Sequence, residues 1–214
     1  MDNWRKGDTF GVFQFQSEGI TRLIKQMQPT TLEDIAAANA LYRPGPLQSG
    51  TAFEYGRRKN GDAPVEYWHS ALEPHMNRTY GLLVYQEQVM KVCEHLGGFT
   101  LAEADTVRKA ITKWIGKRGT QYLVQYQQKF VDGAMSRGIG QELAEDIWDK
   151  LTQFASYAFN ASHSAGYAAQ AYQDMLLKTH YPVEFYTSLL TLEPAHVARA
   201  IREAKNKGID VLPP

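Results

Sequence analysis

The chain has 214 residues, of which 43% are hydrophobic and 21% are charged. This ordinary globular composition supplies enough apolar side chains for a sizeable core, which excludes wholesale disorder. Lysine plus arginine and aspartate plus glutamate both number 23, and the resulting zero net charge argues against a generic basic coat for nucleic acid. The single cysteine, Cys93, excludes an internal disulfide framework, and no apolar run approaches membrane-spanning length, so we expect a cytoplasmic protein.

The first quarter of the chain predicts one short strand and two helices. Residues Thr9–Gln16 carry β-branched and aromatic side chains in partial alternation, which predicts a short strand or an extended segment. Ser17–Gln28 has apolar residues at helical spacing and predicts a helix. The Thr31-x-x-Asp34 pattern opens the next helix, which must end before Pro44, because a residue that precedes proline avoids helical angles. We therefore expect Arg43–Pro46 to form a stiff extended turn.

The remainder predicts mostly helix, with two further short strands at Thr79–Tyr85 and Ile209–Leu212. The predicted helices are Gln86–Leu96, one from Thr100 to about Ile115, Gln121–Arg137, Gln141–Ala155, Ser164–His180, one from Pro182, and Pro194–Lys207. The fold class is therefore mainly α, a multi-helix domain with a few short strands. Because the chain runs out as an apolar extended segment, we expect one domain over residues 1–208 and the start of a connection to a downstream domain over 209–214.

A cluster of cations, here called the basic ridge, lies in and just after the helix that follows Thr100. Five cations fall within eleven residues of a neutral protein. Such a surface suits phosphate groups, because phosphates require several donors and charge neutralisation. The alternative is a solvated helix face on which Asp105 pairs with Lys109. The members of the basic ridge are Arg108, Lys109, Lys113, Lys117 and Arg118.

A second candidate site is the block Phe159–Tyr167, in which small polar residues precede a helix. Ser162 or Ser164 is suited to cap this helix, whose free N–H groups would then form an anion site. His163 at the mouth of that site is placed to donate to a phosphate, and Tyr167 offers a flat ring on which a base can stack. The alternative is an ordinary N-cap with a helix-end histidine and core tyrosines.

The sequence lacks the patterns of several kinds of catalytic centre. It contains no Asp-x-Asp pair, no Walker lysine loop and no GxGxxG, and its six histidines and one cysteine show no zinc-ligand spacing. A two-metal phosphoryl-transfer centre needs clustered carboxylates, so none is expected here, and no residue is assigned as catalytic or as a metal ligand. The residues alone predict a helical protein with a surface that suits anions.

Six sequence blocks, taken in their order along the chain, resemble the fingers region of a bacterial C-family replicative DNA polymerase, the DNA polymerase III alpha subunit. Any one of these blocks would be a weak signal, whereas six in order across nearly the whole chain are specific. The blocks are Gly11–Ser17, Tyr42–Gly50, Tyr80–Met90, Ala104–Ala110, Phe159–Ala165 and Leu177–Phe185.

The resemblance implies that the chain binds the incoming deoxynucleoside triphosphate (dNTP) and the template–primer DNA of a DNA-directed DNA polymerase, a nucleotidyltransferase. In that family the metal-binding aspartates lie upstream in the palm, so magnesium is expected outside this chain, and the chain alone is expected to be inactive. The implied partners include the palm, the downstream domains and, through other regions, a sliding clamp. The implied nucleotide-binding residues are Arg108, Lys109, Lys113, Asn160, Ser162, His163 and Ser164. The implied DNA-binding residues are Arg43, Lys117, Arg118 and Tyr167.

Three departures from the family pattern indicate a divergent member. Lys109 stands where a second arginine is usual, which keeps the charge but loses the two-pronged guanidinium. Ala161 stands where lysine is frequent, and Thr112–Ile115 replaces a glycine and a lysine run. A phage-encoded enzyme and an error-prone paralogue both stay open. So do two rival functions, a stand-alone helical module that binds DNA or nucleotides and a purely structural helical protein. On the main interpretation, Arg108, Lys109 and His163 converge on one pocket.

Overall fold

A computed structural model describes residues 1–113, 117–155 and 157–212, together with their side chains except those of 112, 113, 117–122 and 155. Over these ranges the chain is mainly α, which confirms the predicted fold class. None of the described helices has the length and apolar character that crossing a bilayer requires. The α-helices are α1 (Asp2–Arg5), α2 (Glu18–Met27), α3 (Leu32–Leu41), α4 (Pro44–Gln48), α5 (Thr51–Asn60), α6 (Glu73–Met76), α7 (Gln86–His95), α8 (Leu101–Lys113), α9 (Lys117–Met135), α10 (Gln141–Ala155), α11 (Ala161–His180), α12 (Pro182–Leu192) and α13 (Val197–Asn206).

The strand predicted over Thr9–Gln16 is wrong, because this segment is a succession of turns. The Val12 N–H donates to the Thr9 carbonyl, and the Phe15 N–H donates to the Val12 carbonyl. All three of these residues are fully buried, which is a spacing of three rather than the spacing of two that a strand requires. Positive φ angles at Gly11 and Gln14 make the turns possible.

The strand predicted over Thr79–Tyr85 is also wrong. A short 3₁₀ turn over Asn77–Thr79 is followed by left-handed residues at Tyr80 and Gly81. No other residue fits at position 81, because a Cβ on Gly81 would lie 2.1 Å from the Glu66 carbonyl oxygen. What is left of the expected strand is a single parallel bridge between Tyr85 and Phe159.

Two smaller expectations about extended structure are also corrected. Arg43 has the extended angles that the following proline demands, with φ −146° and ψ 157°. However, the chain turns directly into helix α4 at Pro44, because proline at the first helical position has no N–H to lose and carries a suitable φ. Ile209–Leu212 forms no strand in the described structure, although Ile209 and Val211 pack against the C-terminal helices.

Buried apolar side chains form three clusters. The first, here called the N-terminal core, joins α1, α2, α3 and α5 to α11 and includes Trp4, Phe15, Ile35, Tyr55 and Ala168. The second, the middle core, joins α7, α8, α9 and α10 and includes Val92, Cys93, Val107, Phe130 and Trp148. The third, the C-terminal core, joins α12 and α13 and includes Phe10, Tyr186, Ala200 and Ala204.

A buried lysine holds the C-terminal core against the start of the chain. The Lys178 side chain is fully buried, and its Nζ lies 2.6 Å from Asp8 Oδ1 and 3.6 Å from Glu203 Oε2. The same ammonium donates to the Phe10 carbonyl oxygen at 2.8 Å. A buried charge is tolerated when it is paired and hydrogen-bonded in this way, so Lys178 ties α11, α13 and the N-terminal segment together.

Gly133 allows α9 to cross the turn after α7 at very close range. A Cβ on Gly133 would lie 1.9 Å from the Gly97 carbonyl oxygen, and the turn itself is backbone that has little room to shift. A Cβ on Gly97 would in turn lie 2.5 Å from a ring carbon of Phe130. The middle core therefore depends on glycine at this crossing.

We expect Gly133→Ala to lower the free energy of unfolding by about 1–3 kcal/mol or more, because the added methyl group must push two backbone segments apart. The matched control is Gly166→Ala within α11, where no atom beyond the neighbouring backbone of the same helix lies within 4 Å of an added Cβ. That control should stabilise the protein by about 0.5–1 kcal/mol, since alanine is the better helix former. Urea unfolding followed by circular dichroism measures both, and equal stability of the two variants would contradict the close crossing.

Candidate nucleotide-binding and DNA-binding surface

Helix α8 carries the described part of the basic ridge and begins with a capping box. Glu103 Oε2 accepts from the Thr100 N–H and the Thr100 hydroxyl, each at 3.0 Å, and the Thr100 Oγ1 accepts from the Glu103 N–H. Lys129 of α9 also binds Glu103, and this ion pair together with the Thr100 hydrogen bonds lowers the pKa of Glu103 to about 2. One partly exposed ion pair therefore links the start of α8 to α9.

Asp105 binds both described cations of the basic ridge. Arg108 Nη2 lies 2.6 Å from Asp105 Oδ1, and Lys109 Nζ lies 2.5 Å from Asp105 Oδ2. The two cations lower the pKa of Asp105, with Lys109 as the larger cause. The pairing between Asp105 and Lys109 that the sequence offered as an alternative is thus present. The Arg108 side chain is 18% exposed and that of Lys109 is 46% exposed, so the guanidinium is the better fixed of the two.

Arg108 also reaches the start of α7. Its Nη1 donates to Gln86 Oε1 at 2.9 Å. Gln86 is joined in turn to the segment before α11, because its backbone N–H donates to the Phe159 carbonyl at 2.8 Å and its Nε2 donates to the Ala158 carbonyl at 3.3 Å. Arg108 is therefore linked through one glutamine to the second candidate site.

Helix α11 is capped by Asn160, not by Ser162 or Ser164 as the sequence predicted. Asn160 Oδ1 accepts from the His163 N–H at 2.8 Å and from the Ser162 hydroxyl at 2.7 Å, so the helix begins at Ala161. Ser164 is fully buried, and its hydroxyl donates to the Ala36 carbonyl at 2.6 Å. The structure thus places Ser164 in the packing of α11 on α3, while Asn160, Ser162 and His163 are exposed.

The first N–H of α11 is not free, contrary to the expectation from the sequence. The Ala161 N–H donates to both carboxylate oxygens of Glu87, at 3.1 and 3.3 Å, and the Asn160 Nδ2 donates to Glu87 Oε1 at 3.3 Å. A carboxylate therefore occupies the position where a helix N-terminus favours an anion.

Aromatic rings line the exposed side of the same region. His163 packs against Phe159 and Tyr167, with ring centroids 5.5 and 4.1 Å apart, and Phe13 meets Tyr167 edge-on at 5.1 Å. The Arg43 guanidinium lies 4.6 Å from the Phe159 ring centroid and donates to the Tyr157 carbonyl. Arg43 is thereby held against the segment that leads into α11.

Arg43 contacts the segment 157–160, and Arg108 contacts the start of α7. Asn160, the last residue of that segment, also contacts the start of α7. The side chains of Lys113, Lys117 and Arg118 lie outside the described residues. Sequence reasoning did not single out Gln86 or Glu87, although both stand in one of the six family-like blocks. Their hydrogen-bond partners lie more than twenty residues away along the chain, so local pattern carries no signal for these contacts.

Residues 1–138 match the family described as bacterial DNA polymerase III alpha subunit finger domain. The chain belongs to this family. It is 45% identical over 212 residues to the DNA polymerase III subunit alpha of Aquifex aeolicus, 43% identical over 212 residues to that of Halalkalibacterium halodurans and 42% identical over 217 residues to that of Thermus aquaticus. These alignments cover 98% of the chain but only 17–18% of the relatives, so the chain spans less than a fifth of their length.

Family membership confirms the resemblance that the six blocks indicated. The finger-domain match ends at residue 138, whereas similarity to alpha subunits continues over nearly the whole chain. The domain boundary predicted at residue 208 stays a prediction. The binding roles of the individual residues in this finger domain stay predictions as well, now with defined surroundings.

We expect Asp105→Asn to lower the free energy of unfolding at pH 7 by less than about 1 kcal/mol, because both ion pairs are partly exposed. The pKa of Asp105 is depressed in the folded state, so its contribution is complete above the unfolded pKa of about 3.9 and disappears as the pH falls through the lower folded value. The difference between the variant and the parent should therefore close below about pH 4. Urea unfolding at several pH values measures it.

The matched control is Asp146→Asn on α10, which loses a single exposed ion pair to Lys150. Its effect should be smaller than that of Asp105→Asn. A difference for Asp105→Asn that grows at low pH would contradict the pairing with Arg108 and Lys109.

Proposed function

We propose that this finger domain is part of a DNA-directed DNA polymerase, in which it binds the incoming dNTP and the template–primer. The observation that carries the proposal is the link between Arg108 on α8 and the N-terminus of α11 through the start of α7. This link puts a fixed guanidinium close to a capped helix end and a row of aromatic rings. The similarity to alpha subunits supports the same assignment.

In the proposed site, Arg108 and Lys109 neutralise the triphosphate. Phosphoryl transfer is accelerated mainly by positioning and by charge stabilisation around the phosphates, so cations held in place are the contribution expected from fingers. Arg108 supplies a planar fork that suits two phosphate oxygens, whereas Lys109 supplies a mobile point charge. In binding, the phosphates exchange with the Asp105 carboxylate that the two cations hold in the free chain.

The aromatic side of the site is proposed to receive the bases. His163 and Tyr167 lie on consecutive turns of α11 and present ring surfaces, and base–aromatic stacking contributes about 1–3 kcal/mol per base. Asn160 and Ser162 supply polar groups at the start of α11, and Arg43 is assigned to the DNA. Lys113 belongs to the nucleotide in this proposal, and Lys117 and Arg118 belong to the DNA backbone.

The metal-dependent step is assigned to another part of the polymerase. Among the described residues, no group of three or more His, Cys, Asp or Glu side chains could hold a metal ion. We propose that palm carboxylates outside this chain bind magnesium. We also propose that the partners of this chain, in the cytoplasm, are the palm, the downstream domains and a sliding clamp.

We expect Arg108→Ala, in an alpha subunit that contains this finger domain, to lower kcat/KM for dNTP. The loss should correspond to about 1.5–3 kcal/mol of transition-state stabilisation, which is the contribution of one hydrogen bond to a charged group. Affinity for duplex DNA should stay nearly unchanged. Steady-state incorporation kinetics and a DNA-binding titration measure the two quantities.

Two controls accompany Arg108→Ala. Arg57→Ala on α5 also breaks an arginine–carboxylate pair within one helix and should leave dNTP kinetics unchanged. Lys113→Ala should have a smaller effect than Arg108→Ala, because Trp114 and Ile115 interrupt the family pattern around it. If Arg108→Ala weakens duplex binding alone, the basic ridge contacts the DNA backbone and the dNTP assignment is wrong.

We expect the purified chain by itself not to extend a DNA primer, since the proposal assigns the metal-binding carboxylates to the palm. A primer-extension assay with magnesium and all four dNTPs tests this. Metal-dependent extension that is lost on mutation of an aspartate within this chain would overturn the assignment. Primer extension that appears only when a palm is supplied would favour the polymerase over a stand-alone binding module or a purely structural protein.

A further inference from the structure

The helix start Gln86-Glu87 lies at the joint between the two larger cores. Helix α8 contributes Ala104 and Val107 to the middle core, whereas α11 contributes Ala168 and Ala171 to the N-terminal core. The two halves of the proposed dNTP site therefore stand on different packing units. Their relative position depends on whatever joins them.

Gln86 uses its backbone and both ends of its side chain at this joint. Its Oε1 accepts from Arg108 Nη1 at 2.9 Å, while its Nε2 and its backbone N–H donate to the carbonyls of Ala158 and Phe159. Because the amide is neutral, it directs one N–H of the guanidinium without cancelling the positive charge. The Gln86 contact therefore adds no second negative charge beside Arg108, which Asp105 already pairs.

Glu87 fixes the other half of the site. Its carboxylate accepts from the Ala161 N–H and the Asn160 Nδ2, and Asn160 in turn caps the helix through the His163 N–H. A carboxylate at a helix N-terminus is stabilised by the partial positive charge there. Glu87 therefore sets the position and orientation of the first turn of α11 relative to α7.

We propose that Gln86 and Glu87 are positioning residues that hold Arg108 and the first turn of α11 in register, so that one dNTP contacts both. This inference rests on the proposed function of the site. Neither side chain needs to touch the nucleotide. A small misplacement of Arg108 or of the first turn of α11 should weaken dNTP binding, since productive binding requires both at once.

The chain contains a matched control for this pair. Helix α10 also begins with Gln-Glu, at Gln141 and Glu142, and Gln141 bonds only within its own helix, to Glu145, among the contacts described. Gln141→Ala with Glu142→Ala therefore removes the same two residue types from the same two helix positions. It should not change dNTP kinetics.

The experiment uses an alpha subunit that contains this finger domain. We expect Gln86→Ala with Glu87→Ala to raise the KM for dNTP about tenfold, with a smaller change in kcat and an unchanged Kd for primed DNA. Glu87→Gln keeps an acceptor at an exposed position and should restore most of the affinity lost in Glu87→Ala. Because Gln86 acts through Arg108, the effects of Gln86→Ala and Arg108→Ala on KM should be less than additive.

Hydrogen–deuterium exchange supplies a readout that does not depend on nucleotide. Amides of residues 159–163 should exchange faster in the Gln86→Ala, Glu87→Ala protein than in the parent or in the α10 control. If the double variant does not fold, the comparison of Glu87→Gln, Glu87→Ala and parent decides the question in the same assays.

The possible failures are distinguishable. If Arg108→Ala leaves kcat/KM for dNTP unchanged, the proposed function is wrong and this inference is wrong with it. If Arg108→Ala lowers kcat/KM for dNTP, but the Gln86 and Glu87 variants do not raise the KM, or Gln86→Ala acts additively with Arg108→Ala, then only the positioning role is wrong. Equal exchange of residues 159–163 in the variant and the parent would likewise overturn the positioning role.

Discussion

Two backbone hydrogen bonds hold the segment before α11 against the segment before α7, and in the former segment Ala158 packs in the middle core and Phe159 packs against the N-terminal core. The Phe159 N–H donates to the Val84 carbonyl at 2.9 Å, and the Gln86 N–H donates to the Phe159 carbonyl at 2.8 Å. Around this short parallel bridge the chain gathers Arg43, Gln86 and the start of α11. A pair of main-chain bonds is a small connection by itself, and side-chain hydrogen bonds from Gln86 and Glu87 add to it.

Electrostatic balance is the second property of the site. In the free chain, Asp105 is bound by two cations of the basic ridge and Glu87 is bound at the start of α11. Two carboxylates therefore lie among the cations and the helix end of this region, and the whole chain has zero net charge. A triphosphate in the proposed function replaces one anion with another, so affinity reflects a difference between two charged contacts.

Two of the departures from the family pattern have defined contacts in the structure. Lys109 keeps a charge at a mobile position, and Ala161 contributes its N–H to Glu87 whatever its side chain is. In contrast, Arg108 has its guanidinium fixed by Asp105 and Gln86. The divergence thus spares the best-positioned cation, which agrees with its assignment to the phosphates in the proposed function.

The sequence by itself determined most helices, because a 3.6-residue apolar period and capping boxes such as Thr31–Asp34 and Thr100–Glu103 are local signals. It also determined the family, since the six ordered blocks can be recognised in the sequence without the structure. Tertiary structure alone decided that Thr9–Gln16 is a chain of turns, because side chains buried at every third position are recognised only when the core they enter is known. It alone decided the contact of Glu87 with Asn160, since these residues are 73 positions apart and no periodicity spans that distance.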